Sequence, residues 1–256
     1  MWRASRPGEA DILAFRQTRK RLGLKPLVVH ANYLVNLASG DPAVRPKSIA
    51  AFRGELERAE AIGAEYLVVH PGSYVGRTLE EGMAAVVLGL KEAAAGLPSP
   101  RVTVLLENTA GCGSQIGCRF EQLRHIRDLA VELADLRIGY CLDTCHLLAA
   151  GYNVADEDGL RRTVREAEAV LGLKHVKVIH ANDSKSPLGS GVDRHQHIGE
   201  GYIGAAGFRR ILAHPKLRSK PFILETPVDR EDDDRRNLDR LKKLCPKSRT
   251  TTTRSS

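Results

Sequence analysis

Residues 137–152 read RIGYCLDTCHLLAAGY, and this stretch decides the fold. A mostly apolar run, Arg137–Asp143, ends in an acidic residue and passes through D-T-C-H into a new apolar segment. Asp143 therefore stands at the C-terminal tip of a predicted strand, and His146, three residues on, offers a second polar side chain from the same turn. Five other runs obey the same rule: Lys25–His30, Tyr66–His70, Val102–Glu107, Val176–His180 and Pro221–Glu225. The stretches between them carry apolar residues at helical spacing. Ile49, Phe52 and Leu56 form one such face, and Leu79, Met83, Val86 and Leu90 a second. Phe120, Leu123, Ile126 and Leu133 form a third, and Leu160, Val164 and Leu171 a fourth. Strand and helix alternating at this interval predict βαβ units and a parallel sheet.

The polar residues at the strand tips are His30, His70, Glu107, Asp143, His180 and Glu225. One histidine at a strand end is ordinarily a hydrogen-bonded structural residue. Six tips with metal-binding side chains are another matter, because parallel barrels gather the C-terminal ends of their strands around one small volume. Imidazoles and carboxylates crowded there are costly to desolvate, and bound cations offset that cost. His146 joins them from the D-T-C-H turn. The long segment Lys185–Ile203 adds Asp193 and His195 in D-x-H spacing, which turns both side chains to one side of an extended chain. Carboxylate and imidazole without thiolate suit catalytic zinc or manganese. His125, His175, His197 and His214 fall on helices or loops and read as ordinary. The five cysteines have no C-x-x-C spacing, and Cys141 and Cys145 read as small buried hydrophobes.

The 256 residues are 42% hydrophobic and 27% charged, enough for one large α/β domain. Residues 1–245 are expected to form that domain and 246–256 a disordered tail. No apolar run reaches the roughly 18 residues of a membrane span, and no signal peptide opens the chain, so the expected compartment is the cytoplasm. The formal charge of +8 favours encounter with polyanions, although part of the excess lies in Lys247, Arg249 and Arg254 of the tail.

With these residues in hand, the motifs HANYLVNLAS, VVHPGS, LLENTAGCGSQIG, CLDTCHLLAAGY, HANDSKSPLGSGVDRHQHIGEG and ILETP resemble the endonuclease IV family of abasic-site endonucleases. They run from about residue 30 to residue 226 in the family's order. The resemblance implies a (β/α)₈ barrel with three zinc ions, Mn²⁺ being an alternative in one site. His30, His70 and Glu107 would hold the first ion. Glu107 would bridge to a second, held also by Asp143, His180 and Glu225, and His146, Asp193 and His195 would hold the third. It also implies catalytic roles for Glu107 and Glu225, hydrolysis of double-stranded DNA 5′ to abasic sites, and a 3′-hydroxyl product. Tyr33 and Leu34 match the family's wedge into the base stack, and Lys185 and Arg194 are the candidate phosphate contacts. A monomer is expected.

The expected fold is thus an α/β, TIM (β/α)₈-type barrel, here incomplete, with six of eight strands legible. Family members carry two strands and a helix before the segment that here begins at Met1, and Trp2 aligns shortly after the second of them. Either Met1 is an internal methionine of a longer protein, or the short form is genuine, less stable and poor at gripping DNA. Two rivals remain at this point. A metal-dependent sugar isomerase or epimerase on the same barrel would leave the D-x-H pair without a use, and an inactive DNA- or metal-binding remnant would keep the ligands without turnover.

Overall fold

The computed structural model describes residues 7–98 and 100–246; Met1, Trp2 and nearly all of the expected tail lie outside them. Among the described residues, six parallel strands form one sheet in simple sequential order. They are β1 (Val28–His30), β2 (Tyr66–Val69), β3 (Thr103–Glu107), β4 (Arg137–Asp143), β5 (Val176–His180) and β8 (Phe222–Ile223). Two further short strands, β6 (Asp183–Ser184) and β7 (His195–Gln196), pair with each other in antiparallel fashion. The eight α-helices of the described residues are α1 (Glu9–Leu22), α2 (Arg45–Ile62), α3 (Leu79–Ala94), α4 (Phe120–Leu133), α5 (Thr144–Ala149), α6 (Glu157–Val170), α7 (Gly204–Ala213) and α8 (Asp233–Leu244). All six strands of the parallel sheet fall where the sequence reading puts them. The first and last are shorter than expected, because β1 and β8 pair on one side only among the described residues.

The helices form for local reasons and dock for apolar ones. Thr78 accepts from the Glu81 amide and Glu81 returns the bond to the Thr78 amide, a reciprocal cap that starts α3. Asp156 caps α6 through the Gly159 amide. Phe52 and Leu56 of α2, Val86 and Leu90 of α3, Phe120, Leu123 and Ile126 of α4, and Leu160 and Val164 of α6 are all buried. They join the outward side chains of the strands in the main core. Leu133 departs from the expected α4 face: it is 47% exposed, and Ala130 and Ala134 continue the stripe instead. Leu133 is the last residue of α4, where the buried stripe ends.

The opposite face of the sheet positions the polar tips. Val68, Leu105, Cys141 and Val178 make a small, fully buried layer of their own, with Val28 and Ile223 against it. Each is two residues before a polar tip, so strand alternation turns His30, His70, Glu107, Asp143, His180 and Glu225 to the same inner face one layer higher. The register adds a stagger. His30 is level with Val68, two positions short of His70, and Val69 with Leu106, which sets His70 level with Glu107. Glu107 is level with Cys141, two short of Asp143; Asp143 is level with His180; and His180 is level with Ile223, two short of Glu225. This stepped register is the shear that a tilted, curling parallel sheet requires.

Phe52 of α2 has no solvent exposure and belongs to the main core. Phe52→Ala should cost about 3–5 kcal/mol in urea unfolding. Leu133→Ser on the exposed side of α4 should stay within about 0.5 kcal/mol of the parent.

Candidate metal centre

Glu107 lies at the centre, with no exposed surface. Its Oε2 is 2.9 Å from His30 Nε2 and 3.0 Å from His70 Nε2, and its Oε1 is 2.8 Å from His180 Nδ1. The same His180 nitrogen is 3.0 Å from Glu225 Oε2. The two oxygens of one carboxylate thus face two different groups of donors. On the far side, His146 Nε2 is 3.1 Å from Asp193 Oδ2, and His195 Nε2 is 3.3 Å from Asp193 Oδ1 and 3.8 Å from Asp143 Oδ2. Imidazoles form a chain across the site, with ring centroids 5.3 Å apart for His30–His70, 5.6 Å for His70–His146 and 5.5 Å for His146–His195. All nine residues singled out from the sequence are brought together.

The ring nitrogens tell what the cluster is built to hold. His30, His146 and His195 each donate Nδ1–H to a backbone carbonyl, of Ala31 (2.7 Å), Asn108 (2.9 Å) and Glu225 (2.8 Å). Carbonyl oxygen only accepts, so these bonds fix the tautomer and leave a lone pair on Nε2 of each neutral ring. Those lone pairs face carboxylate oxygens, which are also electron-rich. His146 Nε2 and His195 Nε2 are buried with no hydrogen-bond partner despite the nearby Asp193. A cation between them resolves the conflict. Two donors held about 2.1 Å from one tetrahedral ion lie roughly 3.4 Å apart, close to the spacings found here. Several overlapping groups satisfy this proximity, among them His30–Glu107–His180, His70–Glu107–His146, Asp143–His146–His195 and Glu107–Asp143–His180–Glu225. The oxygen and nitrogen donors fit a divalent metal ion.

Cys145 comes near Asp193 and His195 as well. Burial pushes its thiol up to about 12, and its Sγ donates to the Arg194 carbonyl at 3.6 Å. It therefore remains a small buried thiol, as does Cys141, also raised to about 12 by burial.

A shell of amides and hydroxyls holds the carboxylates, and sequence reading missed it. Asn108 Oδ1 accepts from the Asp143 amide at 2.7 Å. Asn182 Nδ2 donates to Asp143 Oδ2 at 2.5 Å, while its Oδ1 accepts from the Glu225 amide at 2.8 Å. Thr144 Oγ1 bonds the Asn182 carbonyl at 2.7 Å and accepts from its amide at 3.0 Å. The available signal was adjacency: Asn108 follows Glu107, Thr144 follows Asp143, and Asn182 is two after His180.

A family model for the xylose isomerase-like TIM barrel matches residues 2–244. The probable endonuclease 4 of Solibacter usitatus is 68% identical over 245 residues, covering 96% of this chain and 84% of that protein. The chain belongs to the endonuclease IV family. Within that family, the probable endonuclease 4 of Chloroflexus aurantiacus is 42% identical over 244 residues, 95% of this chain and 85% of its own length. The crystal structure of endonuclease IV from Thermus thermophilus superposes with a TM-score of 0.81 at 40% identity, covering 95% of this chain and 84% of that one. Of the residues expected to meet DNA in this family, Tyr33, Lys185 and Arg194 are exposed and Leu34 is half-buried. No helix of the described residues is long and apolar enough to cross a membrane.

Without a cation, protons take its place. Burial disfavours a charged His146 ring, but the carboxylates of Asp143, Asp193 and Glu107 outweigh it and push its pKa up to about 10. Burial likewise opposes ionisation of Glu107, yet the charges of His180 and His70 hold its carboxyl well below the usual range. A raised imidazole stabilises the folded state fully below its ordinary value of 6.5, and that stabilisation is lost as pH rises through about 10. The depressed carboxyl contributes above 4.5 and loses its contribution as pH falls toward its folded value. The melting temperature of chelator-stripped protein should therefore fall between pH 6.5 and pH 10. With saturating Zn²⁺ the rings stay deprotonated and bound, and the decline should be largely removed. Differential scanning fluorimetry reads both curves; a flat curve for the stripped protein contradicts the expectation.

Proposed function

We propose that the chain is a metal-dependent endonuclease that hydrolyses the DNA backbone 5′ to abasic sites and leaves a 3′-hydroxyl. The observation that carries this reading is the oxygen-and-nitrogen cluster centred on buried Glu107, in a chain 68% identical to a probable endonuclease 4. Residues 1–245 are read as one barrel domain, active as a monomer. Three zinc ions fit the donor set, with Mn²⁺ an alternative in one site: the first on His30, His70 and Glu107; the second on Glu107, Asp143, His180 and Glu225; the third on His146, Asp193 and His195. Such ions supply charge neutralisation on the phosphate, a lowered pKa for the attacking water and stabilisation of the departing 3′ oxygen.

The chain's own residues do the rest. Glu107 and Glu225 flank His180 and orient the attacking water toward phosphorus. Burial of Glu107, Asp143 and His180 keeps bulk water from the floor of the site and strengthens every charge interaction above it. Tyr33, 86% exposed directly beyond β1, is suited to fill the gap in a base stack, with Leu34 beside it. An abasic nucleotide has lost its stacking partner, so extruding it costs less than extruding an intact one. Lys185 and Arg194 are exposed residues joined through a backbone hydrogen bond of 2.8 Å, which supports reading them as a pair of phosphate contacts on the segment that carries Asp193 and His195. The Asp193–His195 pair gives a reason to prefer a nuclease over a sugar isomerase, whose proton transfer needs fewer metals.

A duplex oligonucleotide with one tetrahydrofuran abasic analogue should be nicked to a product that a polymerase extends. His70→Ala and Glu107→Ala should each lower kcat/KM by ~10³-fold, the scale of losing one electrostatic stabiliser of a transition state. Nicking that survives both substitutions would refute the site. Tyr33→Ala should weaken binding of the abasic duplex about 10-fold in fluorescence anisotropy while leaving the metal content unchanged, because one stacked aromatic is worth ~1–3 kcal/mol.

A further inference from the structure

The segment that brings Asp193 and His195 into the site is long, and one buried carboxylate ties it down. Asp183 has no solvent exposure. Its Oδ1 accepts from the amides of Ser184 (2.8 Å) and Ile203 (2.9 Å), and its Oδ2 from those of Gly199 (2.9 Å), Gly201 (3.0 Å) and Gly204 (3.2 Å). Its partners are all backbone N–H groups. They come from both ends of the segment: Ser184 precedes it, and residues 199–204 close it.

Each further contact makes the same closure. The β6–β7 ladder pairs Asp183 with Gln196 and Ser184 with His195, and the Tyr202 amide donates to the Ser184 carbonyl at 2.9 Å. Between the ends, the amides of Gly189 and Gly191 donate to the carbonyls of Leu148 and Ala149, at 2.9 and 3.0 Å. Those carbonyls belong to α5, the helix that carries His146. The limb with Asp193 and His195 is thus docked onto the element that supplies the third member of the group. Helix α7 is included too. Its N-cap is Ile203, which has no capping side chain, and Asp183 provides the missing acceptor and a negative charge at the positive end of the helix. Gly201 permits this approach, since a Cβ there would lie 2.2 Å from the Ser184 carbonyl oxygen and 2.6 Å from Asp183 Oδ1.

We propose that Asp183 is a positioning residue of the metal centre: its buried carboxylate preforms the Asp193–His195 limb, so that the third cation meets ligands already in place. The proposal rests on reading Asp193 and His195 as ligands. A segment without this knot would have to be ordered by the cation itself, at the expense of affinity.

The test compares full-length wild type, Asp183→Asn and His195→Ala after loading with Zn²⁺ and dialysis, by metal analysis and zinc titration. Asp183→Asn preserves shape but turns an NH₂ group or a weaker acceptor toward amide donors. It should bind one zinc fewer than the wild type, with affinity for that ion reduced about 10–100-fold, and keep the others. A merely structural role would lower the melting temperature without singling out one ion. Full wild-type zinc content in Asp183→Asn, or equal weakening of all the ions, would overturn the proposal. Full zinc content in His195→Ala would overturn the ligand reading beneath it instead. Hydrogen exchange on metal-free wild type gives a measurement independent of any variant. The amides of Gly199, Gly201 and Ile203 should already be protected before zinc is added; fast exchange there, slowed only by zinc, would overturn preformation.

Discussion

The structure depends on a carboxylate that cannot be left alone. Glu107 is wholly buried, with imidazoles of His30, His70 and His180 within 3.0 Å. An isolated charge at such a position is prohibitively costly, and a neutral His30 ring, whose Nδ1–H already donates to the Ala31 carbonyl, turns an electron pair toward it and offers no relief. Positive charge must be supplied, by protons in the stripped chain or by metal in the loaded one. The site is therefore a place where stability and function are coupled: whatever neutralises Glu107 also stiffens the inner face of the sheet.

The stepped register explains how so many polar groups reach one volume without disrupting the core. Each strand carries an apolar residue two positions before its polar tip, and the buried layer of Val68, Leu105, Cys141 and Val178 separates the tips from the interior below. Because the tips alternate between level neighbours and neighbours displaced by two residues, Glu107 and His70 share one level while Asp143 and His180 share the next. The shear of a parallel sheet thus sorts equivalent positions in sequence into distinct neighbourhoods in space.

Much of the fold is legible because a strand–helix alternation writes its periods directly into the chain. Phe52, Leu56, Val86, Leu90, Phe120, Leu123 and Ile126 are buried as their spacing requires. Leu133 is the exception, since nothing local says where the apolar face of α4 runs out. The supporting shell is less legible. Asn108, Thr144, Asn182 and Asp183 are polar residues close in sequence to members of the cluster, and polar residues near strand ends are commonplace in loops. Their role lies in partners distant in sequence: Asn182 joins Asp143 to Glu225, and Asp183 collects amides up to residue 204.

The sequence by itself determined which side chains stand at the strand tips, that they share one face, and that their chemistry is nitrogen and oxygen without thiolate. Alternation along a strand is local, so these properties need no knowledge of distant contacts. Only the tertiary structure decided which tips are neighbours, which nitrogen of His30, His146 and His195 faces the site, and what holds Asp193 and His195 there. Those outcomes follow from register between strands and from hydrogen bonds across long gaps in the chain, such as the 38 residues between His146 and Asn108. Such contacts exist only once the sheet has curled and the long segment has closed on Asp183.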